Sequence, residues 1–340
     1  MPKELIGTGV GKIEWRDYDE PKLAVGQVRV RSEFGAAKHG TEMAGYKGYA
    51  SHRGRFDRDL NVFTMQPGPA GRFMVGNMTV GTVIEVAAEV KSPAVGDRVL
   101  VYGGFRQTHV VPLSDCWKIG KDVNWKSAVC LDPADFAFAA VRDGHVRVGD
   151  VVAVFGMGAI GLMAVQIAKV AGASHVTAVD PIALRRKIAA QCGADAALDP
   201  SACDAGLEIK KATGGRGADV VIEYSGSRQA LQASLRAVAY GGNVVCGAYP
   251  PVYGAGLDFG AEAHLNIPNI IFTRACSQPD RDNPRWNQKR IMDECLRLLS
   301  CGRLNGEHVV TPVVPFERAA EEYPKIATSP DAYVKLGVEY

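Results

Sequence analysis

The chain has 340 residues, more than one hydrophobic core usually organises, so two domains are expected. Apolar residues make up 47% and charged residues 22%, which excludes a disordered chain. The 39 basic and 37 acidic side chains are interspersed and leave a net charge of +2; no long basic run tracks a phosphate backbone, so no nucleic-acid partner is expected, and the clusters Arg53-Gly54-Arg55 and Arg185-Arg186-Lys187 read as solvated faces.

In chain order, Met1 to Val10 lacks the apolar run of a signal peptide, and nowhere do about 18 apolar residues run uninterrupted, so a cytoplasmic protein without membrane contact is expected. From Gln27 to Phe34, Val28 and Val30 alternate with Arg29 and Arg31 at the period of a half-buried strand. Short β-rich pieces divided by Gly and Pro continue over 79–90 and 95–101, and this first part predicts a small β-barrel. Near Ala128 the texture turns Ala-rich and helical. Beyond it, strands predicted at 151–155, 175–179, 219–223 and 243–246 alternate with helices near 159–171, 182–192, 203–213 and 227–239. Such alternation predicts an α/β fold with a doubly wound parallel sheet, because parallel strands need crossover connections. The C-terminal part is mixed, with a helix near 287–300 and strands near 308–314 and 333–338. Eight cysteines are scattered without a C-x-x-C pair, which fits free thiols better than a disulfide framework or a structural zinc.

The clearest chemical signal is Gly156-Met157-Gly158-Ala159-Ile160-Gly161. It follows the apolar strand Val151-Val152-Ala153-Val154-Phe155 and opens a helix, the context that a G-x-G-x-x-G motif needs in order to bind a dinucleotide. Gly156 permits the tight turn, Gly158 lets backbone approach the pyrophosphate, and Gly161 lets helix and strand pack; the helix N-terminus offers unpaired N–H groups to the anion. Asp180 ends the next strand nineteen residues beyond Gly161, where a carboxylate binds ribose hydroxyls and repels a 2′-phosphate, so NAD is expected over NADP. Arg185 on the following helix, with Ser225 and Gly247, completes the expected cofactor set.

On these residues, together with Val95-Gly96-Asp97-Arg98-Val99, Gln166-Ile167-Ala168-Lys169, Gly193-Ala194-Asp195 and Gly241-Gly242-Asn243-Val244-Val245, the chain resembles the medium-chain dehydrogenase/reductase superfamily from end to end, in its alcohol, polyol and sugar dehydrogenase branch. The resemblance implies a GroES-like β-barrel catalytic domain over 1–133 and 275–340, a Rossmann domain over 134–274, and a homo-dimer or homo-tetramer. Zinc-dependent members hold their metal through a Cys in a Cys-Gly-Thr-Asp segment, a His in a Gly-His-Glu segment and a later Cys, Asp or Glu. Here the first segment reads His39-Gly40-Thr41-Glu42, the second reads Gly76-Asn77-Met78, and the third position falls at Asp132. His39 and Asp132 fall short of the three protein ligands of a catalytic zinc, so no metal is expected. The four-Cys lobe of many members is missing as well.

Without zinc, a side chain must take the hydroxyl proton and stabilise the alkoxide as hydride leaves. The resemblance puts Lys38, His39, Thr41, Glu42 and Asp132 near the reacting carbon. Thr41 stands at the hydroxyl position that contacts the substrate oxygen, or serves as a helix cap; His39 is a general base or a polar residue filling the metal's place; Lys38 donates to the substrate oxygen or is solvated; Asp132 orients His39 or binds a hydroxyl. Asn77 is a candidate partner for a substrate hydroxyl, and Tyr46, Trp286 and Tyr102 are candidate apolar walls. The expected activity is NAD-dependent hydride transfer between nicotinamide and a small secondary alcohol or ketone, of polyol or sugar type. The alternatives are a zinc-free enone or quinone reductase, against which Asp180 weighs, and a non-catalytic dinucleotide-binding protein, against which the polar cluster of 38–42 weighs.

Overall fold

The computed structural model describes residues 1–49, 53–65, 72–277 and 280–340. They form two compact units: one of residues 1–129 with 310–340, the other of residues 130–309. Residues 275–309, assigned from sequence to the first domain, belong to the second. The reason is the helix Gln288–Ser300, whose buried side chains Ile291, Met292, Cys295, Leu298 and Leu299 face the helix Leu131–Asp143.

The first unit is built on the long strand Gln27–Ala36. One edge of it pairs antiparallel with Met78–Val86; on the other edge Thr108–Pro112 takes its first half and Gly337–Glu339 its end. The whole sheet has seven strands. Alternation explains why it forms: Val28 and Val30 pack on one face with Val83, Val99, Val101 and Val111. A second core gathers Leu5, Met43, Val75, Phe105, Tyr323 and Leu336, and so binds the last thirty residues to the first hundred. The expected terminal strands are shorter and later than the sequence suggests, at Val313–Pro315 and Gly337–Glu339. Pro312 has no N–H to give a ladder, so the former strand starts only after it.

The second unit carries a six-stranded parallel sheet. Its order is Ala196–Leu198, His175–Val179, Val151–Phe155, Ala218–Glu223, Val238–Cys246, Asn269–Phe272. This is the 3-2-1-4-5-6 order of doubly wound dinucleotide folds, and the order reverses between Val151–Phe155 and Ala218–Glu223. The strand Val151–Phe155 is buried along its whole length, as a central strand with helices on both faces must be. Asp204 and Ser227 cap the helices Ala205–Ala212 and Arg228–Ala237 by accepting from Leu207 N and Ala230 N. The edge strands Ala196–Leu198 and Asn269–Phe272 escape sequence reading because they are too short to show a period. No helix among the described residues is long and apolar enough to cross a membrane.

One residue of the first unit makes its stability depend on pH. His109 is buried in the strand Thr108–Pro112, its imidazole so close to Gly103 that a Cβ there would lie 2.4 Å from a ring carbon, and its Nε2 has no hydrogen-bond partner among the described residues. Burial, aided by the nearby Arg106 charge, pushes its pKa from 6.5 down to about 3. The unfolded chain therefore takes up a proton below pH 6.5 that the folded chain refuses, so stability is complete above that pH and is lost as pH falls toward 3. The His109 share is about 1.4 kcal/mol per pH unit in that window. In thermal melts between pH 7 and 4, wild type is expected to lose stability relative to His109→Leu as pH falls. Parallel curves would refute the assignment.

Candidate active site

At the C-terminal end of the strand Val151–Phe155, the three glycines of the turn are bare for three different reasons. Gly156 sits at φ +91°, and a Cβ on it would fall 2.5 Å from the Ser225 nitrogen. On Gly161 a Cβ would fall 1.9 Å from the carbonyl oxygen of Gly156, so helix and turn could not close. Gly158 is under neither constraint. Its φ is −73°, and a Cβ there would meet nothing within 4 Å. A bare Cα where the fold asks for none leaves the N-terminus of the helix Ala159–Val170, with Ala159 and Ile160 in its first turn, open to an approaching anion.

Asp180 closes this turn. Its side chain is 3% exposed, Oδ2 accepts from Met157 N at 2.7 Å, and Oδ1 accepts from Ile182 N at 2.8 Å. Arg185 Nη1 lies 3.9 Å from the same Oδ2, while Arg186 donates to the Asp180 carbonyl and pairs with Asp199. Across the switch point, Ser225 abuts Gly156, and Gly247 donates its N–H to the Glu223 carbonyl with its Cα pressed on the Tyr224 ring. The nine residues predicted for the cofactor thus lie on or beside the C-terminal ends of neighbouring strands, where open α/β sheets bind ligands.

In the first unit, the segment Lys38 to Glu42 runs from the end of the strand Gln27–Ala36 into the helix His39–Tyr46. Glu42 is buried, and three donors converge on it: Lys38 N at 2.5 Å, Gly76 N at 3.1 Å and the Tyr323 hydroxyl at 2.9 Å. Burial raises its pKa, against the pull of those donors and of the Lys335 charge. Glu42, expected to be catalytic, ties three chain segments together. Lys335, which the sequence reading passed over, is 2% exposed and donates to the Ala37 carbonyl at 2.7 Å.

His39 is tied down too. Its Nε2 accepts the N–H of Leu336 at 2.9 Å, which leaves the ring proton on Nδ1 and occupies the lone pair that a base or a metal ligand would use. Thr41 is exposed in the first turn of its helix; Asn77 is buried, with an Oδ1 that no hydrogen bond reaches among the described residues. Asp132 is buried in the first turn of the helix Leu131–Asp143 and belongs to the second unit.

The expected aromatic walls are engaged within the fold. Tyr46 stands edge-on to Tyr323 at 5.8 Å, Tyr102 to Trp117 at 5.5 Å, and two guanidinium groups, of Arg142 and Arg290, lie over the Trp286 ring at 4.1 Å each. Trp286 thus makes a cation–π contact with Arg290 at the start of the helix Gln288–Ser300 and with Arg142.

A full-length relative decides the family. The chain is 43% identical to a D-guloside 3-dehydrogenase of Escherichia coli (strain K12), over 99% of this chain and all of that one. It belongs to the medium-chain dehydrogenase/reductase family. It is thus a dehydrogenase, and residues 159–277 match the family model described as zinc-binding dehydrogenase. A 30% identical L-threonine 3-dehydrogenase of Pyrococcus abyssi matches over 74% of this chain and 79% of its own. The 2R,3R-butanediol dehydrogenase of Bacillus subtilis shares the fold at a TM-score of 0.80, with 23% identity and full coverage of both chains.

This dehydrogenase offers the family's zinc a poor donor set. The His39 lone pair is taken by a backbone N–H, an amide and a thioether stand at Asn77 and Met78, and no three His, Cys, Asp or Glu side chains gather to hold a metal among the described residues. What Glu42 does can be measured. Glu42→Gln turns an NH2 toward groups that are themselves donors, at an expected cost of about 3 kcal/mol, and Tyr323→Phe removes one donor for about 1 kcal/mol. Urea unfolding would read both, and a Glu42→Gln variant as stable as wild type would show that the carboxylate ties nothing.

Proposed function

We propose that this dehydrogenase uses NAD to oxidise a secondary hydroxyl of a sugar or polyol, with a glycoside as the leading substrate class, and that it does so without zinc at the family's position. The observation that carries the cofactor half is the bare Gly158 beside Asp180: an open helix N-terminus for the pyrophosphate next to a buried carboxylate that receives ribose hydroxyls and repels a 2′-phosphate. The substrate half follows the full-length relative, which is a D-guloside 3-dehydrogenase.

When bound, the dinucleotide takes the hydride from the carbinol carbon. The protein's own residues handle the rest. Thr41 contacts the substrate oxygen and passes its proton to the solvent to which the hydroxyl is exposed, with Lys38 at the same helix start to stabilise the alkoxide until the carbonyl forms. His39, fixed as its Nδ1–H form, enters as an orienting donor. The unanswered Oδ1 of Asn77 accepts a substrate hydroxyl, which an apolar isostere would leave unsatisfied. A homo-oligomer is part of this reading, because Asn269–Phe272 ends its sheet with Ile270 and Phe272 exposed, and an edge of that kind invites a second copy.

Purified enzyme assayed with NAD and NADP on a panel of glycosides, polyols and simple alcohols, alongside elemental analysis, tests the whole. Turnover with NAD on glycosides at less than stoichiometric zinc is expected. Activity that follows zinc content, or that appears only with NADPH and enones, would overturn the proposal. Asp180→Ala is expected to lower kcat/KM for NAD by about tenfold or more and to narrow the preference over NADP. Thr41→Ala and Lys38→Ala are each expected to lower kcat by about a hundredfold, the scale of one acid–base or alkoxide-stabilising group; unchanged turnover in both would move the proton path elsewhere.

A further inference from the structure

Glu223 is the last residue of the strand Ala218–Glu223 and is 2% exposed. It pairs in register with Phe155 on one side and Cys246 on the other. A carboxylate at the rim of an otherwise apolar sheet is costly unless something holds it there. Three donors do, all on one oxygen. Ser225 N reaches Oε1 at 2.7 Å, Gly226 N reaches it at 3.0 Å, and the Ser225 hydroxyl donates to it as well.

The chain of bonds continues in both directions. The Ser225 hydroxyl oxygen accepts from Ser227 N at 3.0 Å, and the Ser227 hydroxyl caps the helix Arg228–Ala237 by accepting from Ala230 N. Toward the glycine turn, the backbone of Ser225 sits where any Cβ on Gly156 would be, at 2.5 Å from its nitrogen and 2.7 Å from its Cα. One buried carboxylate oxygen therefore fixes the turn 225–227 that forms the second wall of the switch point, at contact distance from the first glycine of the other wall.

We propose that Glu223 is the positioning residue of the cofactor site: by holding Ser225 and Gly226 against Gly156 it sets the width of the crevice that receives the dinucleotide, without touching the chemistry. This rests on the reading that the Gly156 turn binds a nicotinamide dinucleotide. Burial raises the Glu223 pKa, and the three donors oppose that rise, so the group is kept at the rim by those bonds and not by solvent.

The test is NAD affinity by calorimetry, with cofactor KM and kcat at saturating substrate, on the full-length wild type, Glu223→Gln, Glu223→Ala and Ser225→Ala. Glu223→Gln keeps an acceptor at Oε1 and is expected within about threefold of wild type, whereas Glu223→Ala is expected to weaken NAD about tenfold or more, with kcat at saturating NAD changed less than about twofold. Ser225→Ala keeps the backbone donors and is expected to lie between them. Should Glu223→Ala fail to fold, Ser225→Ala still decides: wild-type NAD affinity in it would overturn the proposal. So would a Glu223→Ala protein that loses melting temperature but binds NAD as tightly as wild type, since that is a structural role alone. Wild type that binds no dinucleotide would instead overturn the cofactor reading beneath it.

Discussion

The carboxylate of Asp180 ties the glycine turn to the end of the neighbouring strand by accepting from Met157 N, and much of the second unit's working end depends on that bond. Without it, the turn between Phe155 and the helix Ala159–Val170 would have a buried amide to satisfy and no fixed distance to the strand beside it. Glu223 does the same across the switch point, and Glu42 does it in the first unit. In each case an acidic side chain leaves water because backbone N–H groups converge on it, and in each case the segment so held carries the candidate chemistry. Two or three such donors offset the cost of burying a carboxylate, and the bonds fix backbone where loops would otherwise wander.

That economy separates holding from reacting. The Glu42 carboxylate already accepts from Lys38 N, Gly76 N and the Tyr323 hydroxyl, so its oxygens are spent on holding three chain segments together. The same logic governs His39. Its Nε2 takes the N–H of a residue 297 positions away, which locks the imidazole and the C-terminal strand together while removing the lone pair that would bind a metal. The groups left with an unfilled role are Thr41, exposed on its helix, and the amide oxygen of Asn77.

How much of this was legible in the sequence follows from where each bond begins and ends. The doubly wound sheet was readable, since strands 151–155 and 175–179 are continuous apolar runs and the helices between them carry their own period. The glycine turn was readable because its three constraints are local, as was Asp180, one strand away. Glu42 was visible as an acidic residue but its tie was not, because two of its three donors come from Gly76 and Tyr323, and nothing near position 42 announces them. Lys335 and Glu223 were missed for the same reason. An isolated charge at the end of an apolar strand was the available sign for Glu223, and it means something only once the Ser225 turn is known. For Trp286 the aromatic character suggested a substrate wall, and the two arginines over its ring, one of them far off in sequence, left no local sign.

The glycine turn and the segment 38–42 differ in what they present. The turn presents backbone amides and bare Cα atoms, with Gly156 and Gly161 kept bare by the backbone they press against. In the segment 38–42 the side chains of His39 and Glu42 are tied to residues far off in sequence, the histidine lone pair being spent on the Leu336 N–H. Hydride transfer needs the same cofactor geometry every time, whereas an alkoxide can be stabilised by a metal, a hydroxyl or an ammonium group, each built from a different handful of side chains.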